Sequence, residues 1–95
     1  MKKQLYINPF HTEVVDCSGY LDLRVRSSRP IDILFVPSRA EARLMMEGDN
    51  FRHYSFMSTQ MTREYSAAGH LSPGTCCVFA NRSNSPANVE LWIEG

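Results

Sequence analysis

The sequence lacks an excess of charge of either sign and lacks long apolar runs. Ten basic and ten acidic residues give a formal net charge of zero, which disfavours nucleic acid and membrane surfaces as partners because both attract a basic excess. No window approaches the roughly 20 apolar residues of a transmembrane helix. The basic residues at the N-terminus are not followed by the apolar segment of a signal peptide. We therefore expect a cytoplasmic protein that binds no membrane.

Cysteine and glycine are also scarce. The three cysteines, Cys17, Cys76 and Cys77, are an odd number with two neighbours in sequence, and such a set is a poor disulfide framework. Adjacent residues of a strand point to opposite faces, so Cys76 and Cys77 are not expected to pair with each other. Reduced thiols in a reducing compartment fit this pattern. The five glycines are isolated from one another, so the sequence predicts no glycine-rich phosphate loop.

Alternation of period two is the clearest signal that the sequence does contain. A chain of 95 residues with 43% hydrophobic residues fits a single domain, residues 1–95, with a small hydrophobic core. Residues 20–26 alternate apolar and polar side chains, which is typical of a half-buried antiparallel strand. Residues 31–36 form a second apolar run. The turn residues between the two runs predict a hairpin.

One short helix is predicted after this hairpin. Ser38 and Glu41 have the spacing of a capping box, residues 39–47 are good helix formers, and Gly48 suits the C-terminal cap. We expect the helix to cover one end of the core.

Further short strands are predicted in the rest of the chain. Residues 51–57 and 60–66 have weak strand patterns, and residues 67–74 carry the signals of a loop. Residues 75–81 and 89–94 have clear strand patterns and predict a second hairpin. About seven strands with regularly spaced turn signals predict an all-β fold, an antiparallel β-sandwich of jelly-roll type with one short helix.

The order of these segments resembles small accessory β-sandwiches, namely the Golgi-dynamics (GOLD) domain and the bacterial pre-peptidase C-terminal domain. The likeness lies in the early alternating strand and in the ending. That ending consists of Leu71, a turn with Pro73 and Gly74, an apolar strand closed by Asn81, and a final alternating strand. The resemblance implies a non-catalytic module that binds a protein partner or a ligand.

Catalytic and metal-binding groups are scattered. His70 with Cys76 or Cys77 is the one nucleophile–base pair close in sequence, but cysteines beside large apolar residues in a strand are usually part of the core. Histidines and cysteines lack the spacing of metal ligands. The acidic residues within 47–50 are explained by a helix C-terminal turn more simply than by calcium. We expect no enzyme, no metal and no cofactor.

Arginine and aromatic residues mark the best candidate site. Tyr20, Arg24 and Arg26 occupy outward positions of one predicted strand, and Trp92 occupies an outward position of the last. If those strands lie in the same sheet, the aromatic and arginine side chains share a face. These residue types are enriched at interface hot spots, although residues 5–7 could instead cover the indole.

Two functions follow from this candidate site. We expect a non-catalytic interaction module that binds a protein partner or itself, as a homodimer, through this face or through sheet edges. The alternative is a sandwich that binds a carbohydrate or another small ligand through Trp92 and nearby arginines. RNA is disfavoured because the chain has no basic excess.

Overall fold

A computed structural model describes residues 2–17, 19–54 and 58–94, and the side chain of Tyr20 lies outside the described part. The described residues form six strands and one helix: β1 (Lys2–Ile7), β2 (Thr12–Asp16), β3 (Gly19–Val36), α1 (Arg39–Met46), β4 (Thr59–Leu71), β5 (Cys76–Ala80) and β6 (Ala87–Glu94). All strands join one antiparallel sheet that curls into a half-barrel. The fold is therefore mostly β, as predicted, while the two-sheet jelly-roll sandwich is not confirmed. No helix of the described residues has the length and apolar character needed to cross a membrane.

β3 is the central strand of the sheet, and the predicted hairpin over residues 20–36 is wrong. Both apolar runs belong to this one strand, whose ladder with β4 shifts register between Arg26 and Ile31. Pro30 lies within that interval and has no backbone N–H to donate, so it suits a break in the ladder. The segment predicted as a turn instead lets β3 bend and continue.

The bend divides the sheet into two branches. β4 follows one edge of β3, and the other edge pairs first with β6 and then with β5. β1 extends the branch of β6, and β2 extends the branch of β5. The second predicted hairpin is also wrong, because within the described residues β5 and β6 each pair with β3 and not with each other. A strand as long as β3 can hold both of them on one edge, one after the other.

Two apolar layers hold the branches in place. The main cluster takes the inward side chains of both branches, including Leu23, Ile33, Phe35, Phe79 and Leu91, which are almost completely buried. Helix α1 covers the opposite side of the β5 branch and forms a second cluster with β3 and β5: Leu34, Val36, Ala42, Cys76 and Val78. The outward side of the β6 branch has no such cover among the described residues.

The helix begins and ends close to its predicted limits. The Ser38 hydroxyl accepts a hydrogen bond from the Glu41 N–H at 3.2 Å, as the capping-box spacing predicts. Gly48 follows the helix with φ of +81°, a conformation that glycine adopts without steric cost. The Glu41 carboxylate accepts the Arg52 backbone N–H at 2.8 Å, so it fixes the chain after the helix.

The middle of the chain differs from the prediction. Residues 51–54 form no regular strand, and residues 55–57 of the predicted strand 51–57 lie outside the described residues. β4 continues to Leu71, so the predicted loop over residues 67–74 is confined to its last part, where the Thr75 N–H donates to the Ser72 carbonyl at 3.2 Å. Eight uninterrupted pairs with β3 favour the longer strand, because each pair satisfies backbone groups that a loop would leave to water.

A buried asparagine joins the turn after β1 to the turn after β5. The side-chain amide of Asn81 lies near the carbonyls of Ile7, Asn8 and Ser85 at 3.1, 3.3 and 2.8 Å. Its carbonyl oxygen accepts both the N–H and the hydroxyl of Ser83 at 3.1 and 2.8 Å. Because the side chain is 1% exposed, these groups have no alternative partner in water.

Candidate interaction face

The outward side of the β6 branch carries the predicted site. In β3 the apolar residues at positions 21, 23 and 25 are buried, and the polar residues between them point outward. We call the outward side chains of β1, β6, β4 and residues 22–28 of β3 the polar face. Antiparallel pairing sets its side chains in rows across the sheet, because residues opposite each other in neighbouring strands lie on the same side.

The central row contains the tryptophan. Its members, in order across the four strands, are Lys2, Trp92, Arg24 and Ser66. The Lys2 ammonium lies 5.3 Å from the centroid of the Trp92 ring, within the range of a cation–π interaction. Trp92 thus has a cationic residue as its partner on each neighbouring strand. In the alternative arrangement, residues 5–7 would cover the indole, but among the described residues it is Lys2 that lies over the ring, because β1 lies beside β6 and not across it.

The rows on either side of the central row are richer in acid. One contains, in order, Gln4, Glu90, Arg26 and Glu64. The other contains Glu94, Asp22 and Ala68. A band with two cations and an aromatic ring therefore lies between bands that carry carboxylates. A net charge near zero over the whole chain conceals this local order.

Three of the four predicted site residues line one shallow depression of about 530 Å³ on the polar face. They are Arg24, Arg26 and Trp92. Carboxylates at the rim complete its polar lining: Asp22, Glu64 and Glu94. Tyr20 lies on the same strand, with its backbone opposite His70, and its side chain is outside the described part.

Arg26 forms an ion pair with Glu64 in this depression. Its Nε lies 3.5 Å from a Glu64 carboxylate oxygen, and both side chains are about 70% exposed (68% and 72%). Exposed pairs of this kind contribute about 0–1 kcal/mol, so the pair can open at little cost. Arg26 is therefore available to an incoming carboxylate.

Sequence reasoning missed several residues of the face. Lys2 and Glu64 belong to it because β1 and β4 flank the central strands, a pairing that no local pattern indicates. Asp22 and Glu94 could have been predicted from the sequence, because each lies two residues from a predicted site residue on an alternating strand and therefore on the same face.

No family model matches this chain, and no curated protein matches it either.

The cysteines and His70 lie in three different environments. His70 is exposed on β4, Cys77 lies in the main core, and Cys76 lies beneath α1. Burial raises the pKa of the Cys77 thiol well above its ordinary value and also raises the pKa of Cys76. A hydrogen bond from Cys77 lowers the pKa of Cys17. The buried thiols at positions 76 and 77 therefore stay protonated, which is unfavourable for a nucleophile.

The described residues contain no group of three or more histidine, cysteine or acidic side chains that could hold a metal ion. The acidic residues within 47–50, after α1, are exposed to solvent.

Proposed function

We propose that this protein is a non-catalytic interaction module that binds a protein partner through its polar face. One observation carries the proposal: Arg24 and Trp92 are direct cross-strand partners and share a depression with Arg26. Tryptophan and arginine dominate binding energy at protein interfaces. Both lie on strands that are paired on each side, so their backbone positions are fixed relative to each other before a partner arrives.

The charge pattern indicates the chemistry of the partner. The central row offers the cations Lys2 and Arg24 on the two sides of an indole. Such a row suits a carboxylate next to an apolar group, because the acid pairs with guanidinium while the apolar group covers the ring. The carboxylates of the neighbouring rows would repel a uniformly acidic surface, including a nucleic-acid backbone. We therefore expect the partner to present a short acidic and apolar segment.

Affinity capture with matched variants tests this function. The wild-type chain, Arg24→Ala, Trp92→Ala and Arg43→Ala are immobilised at equal density and exposed to an extract of the cells that make the protein. Arg43 lies on α1 and is exposed, so its variant controls for the loss of one arginine. We expect at least one protein to be retained by the wild type and Arg43→Ala and lost from the other two. Equal retention by all four chains would contradict the proposal, provided that circular dichroism shows all four folded.

The second candidate is binding of a carbohydrate in the same depression. The carboxylates beside Trp92 could accept hydrogen bonds from sugar hydroxyls. The Lys2 ammonium over the ring competes with a stacked sugar, so the arrangement favours the protein partner. Titration of Trp92 fluorescence with a panel of mono- and oligosaccharides distinguishes the two, since a stacked sugar changes the emission and a non-binding sugar leaves it unchanged.

The resemblance to GOLD-like and pre-peptidase C-terminal domains, with the jelly-roll arrangement that it implies, stays a prediction and agrees with a binding role. We also propose a reducing compartment such as the cytoplasm, because the three cysteines are free.

A further inference from the structure

The outer edge of β4 is the longest open edge of the sheet within the described residues. β4 is 13 residues long and pairs along one side with β3, while no described strand pairs with its other side. Every second residue of such an edge points its backbone N–H and carbonyl away from the sheet. The ladder from Glu64 to Leu71 is uninterrupted, so these outward groups form a regular row.

The sequence of this edge lacks the residue types that usually block strand addition. Proteins protect open edges with charged side chains, proline, bulges or a covering loop. Between Tyr65 and Leu71 the sequence has no proline, lysine, arginine or acid. The irregular part of the strand precedes Glu64. There the register with β3 shifts, and Met61 has φ of +51°. The irregular part of β4, before Glu64, is thus separate from the regular part, from Glu64 to Leu71, whose outer edge is open.

We propose that a second copy of this chain pairs with the β4 edge in antiparallel register, on a twofold axis through Ala67. The backbone groups of residues 64–70 would then bond to the same groups of the other copy. A twofold axis normal to the sheet keeps outward side chains opposite outward side chains. Because side chains alternate along a strand, the residue numbers of two opposite positions must then add up to an even number. The axis at Ala67 satisfies this condition.

The residues placed opposite each other in this register are complementary. Tyr65 lies opposite Gly69 of the second copy, and an aromatic ring beside a glycine shields the backbone that the missing side chain exposes. Glu64 lies opposite His70, which places an acceptor opposite a donor. Ser66 lies opposite Ala68, and both are small and exposed. Each pair occurs twice because of the symmetry.

Two alternative registers lose this complementarity. An axis at Glu64 would bring two carboxylates together, which is unfavourable in a cross-strand pair. An axis at Ser66 would place Glu64 opposite Ala68 and remove the contact between Tyr65 and Gly69. The self-complementary pattern around Ala67 is the reason to assign a second copy, and not an unrelated strand, as the occupant of this edge.

Light scattering across a concentration series tests the assembly. We expect the wild type to approach twice the monomer mass of 10.8 kDa as the concentration rises. Ala68→Lys places a lysine on the exposed side of the edge in both copies and should abolish the dimer. Asn88→Lys is the matched control, because Asn88 is also exposed but belongs to β6, which has strands on both sides. A monomeric wild type, or a dimer that survives Ala68→Lys, would overturn the proposal.

Cross-linking tests the register without relying on a disruptive variant. Ser66→Cys and Ala68→Cys proteins are mixed and oxidised with glutathione disulfide, and Ser66→Cys is mixed with Asn88→Cys as the control. We expect a disulfide-linked dimer from the first mixture and background from the second and from each protein alone. Cross-linking of Ser66→Cys to itself at the same yield would refute the axis at Ala67. Arg24 and Trp92 are intact in all these proteins, so the outcome is independent of the proposed partner binding.

Discussion

Replacing Asn81 tests how far one side chain holds the turn after β1 and the turn after β5 together. The amide makes three contacts to carbonyls through its nitrogen and accepts two hydrogen bonds through its oxygen. The nitrogen has two protons, so its three contacts count as two full bonds. Asn81→Ala therefore removes four hydrogen bonds from a site that is closed to water.

The expected loss of stability follows from these bonds. A net contribution of about 1 kcal/mol each gives about 4 kcal/mol, and entry of water into the vacated space returns part of this, so we expect roughly 3 kcal/mol. At 4–8 °C per kcal/mol for a domain of this size, the melting temperature should fall by about 12–24 °C. Asn81→Asp keeps the shape but turns a carboxylate oxygen toward three carbonyls. At pH 7 it should destabilise the protein at least as much as alanine.

Urea unfolding gives the measurement, with the single tryptophan as the fluorescent probe and circular dichroism as the second signal. Asn84→Ala is the control, since Asn84 lies in the same turn and is exposed; it should change the free energy of unfolding by no more than about 0.5 kcal/mol. If Asn81→Ala behaves like Asn84→Ala, the hydrogen bonds of the amide do not hold the turns and the reasoning fails.

Two further predictions concern charge and backbone strain. The hydrogen bond from Arg39 at 2.6 Å lowers the pKa of Asp16, so this carboxylate stabilises the fold above its unfolded pKa and loses that effect as the pH falls through the lower folded value. Asp16→Asn should therefore be less stable than the wild type at pH 7 and equal to it near pH 2 in urea unfolding, and a gap that persists in acid would contradict this. Met61 adopts φ of +51° with its side chain 66% exposed, so Met61→Gly should raise the free energy of unfolding by about 0.5–1 kcal/mol. Gln60→Gly, at an exposed neighbour outside the left-handed region, should lower it, and the same sign for both would count against strain at Met61.

The sequence predicted which segments are strands better than it predicted their partners. Alternation over residues 20–26 and the cap at Ser38 depend on neighbours within a few residues, and both predictions were confirmed. The segment from Ser27 to Pro30 is compatible with a turn and with a bend. Its outcome depends on distant strands, since Ser27 pairs with Val89 and Ile31 with Thr62. Strand existence is thus a local property here, and pairing is not.

The residues of the candidate site also fall into those that the sequence predicted and those that depend on strand pairing. Arg24, Arg26 and Trp92 were predicted to share a face on condition that their strands share a sheet, and the register between β3 and β6 places them together. Lys2 was missed because its position over the indole depends on the pairing of β1. Whether this face binds a partner stays a prediction.

The pairing scheme also determines how slowly the chain can assemble. Among the described strands, no pair is joined by a tight turn: Lys2 lies opposite Trp92, Asp16 opposite Cys76, and Gly19 opposite Leu71. Each of these contacts closes a loop of dozens of residues before it yields any stabilisation. Such high contact order is characteristic of domains that fold in milliseconds to seconds. The described partners of β3 are β4, β5 and β6, which all follow it in the chain. The backbone of β3 therefore stays unpaired until these later segments arrive, and during that interval it is exposed to pairing with other molecules.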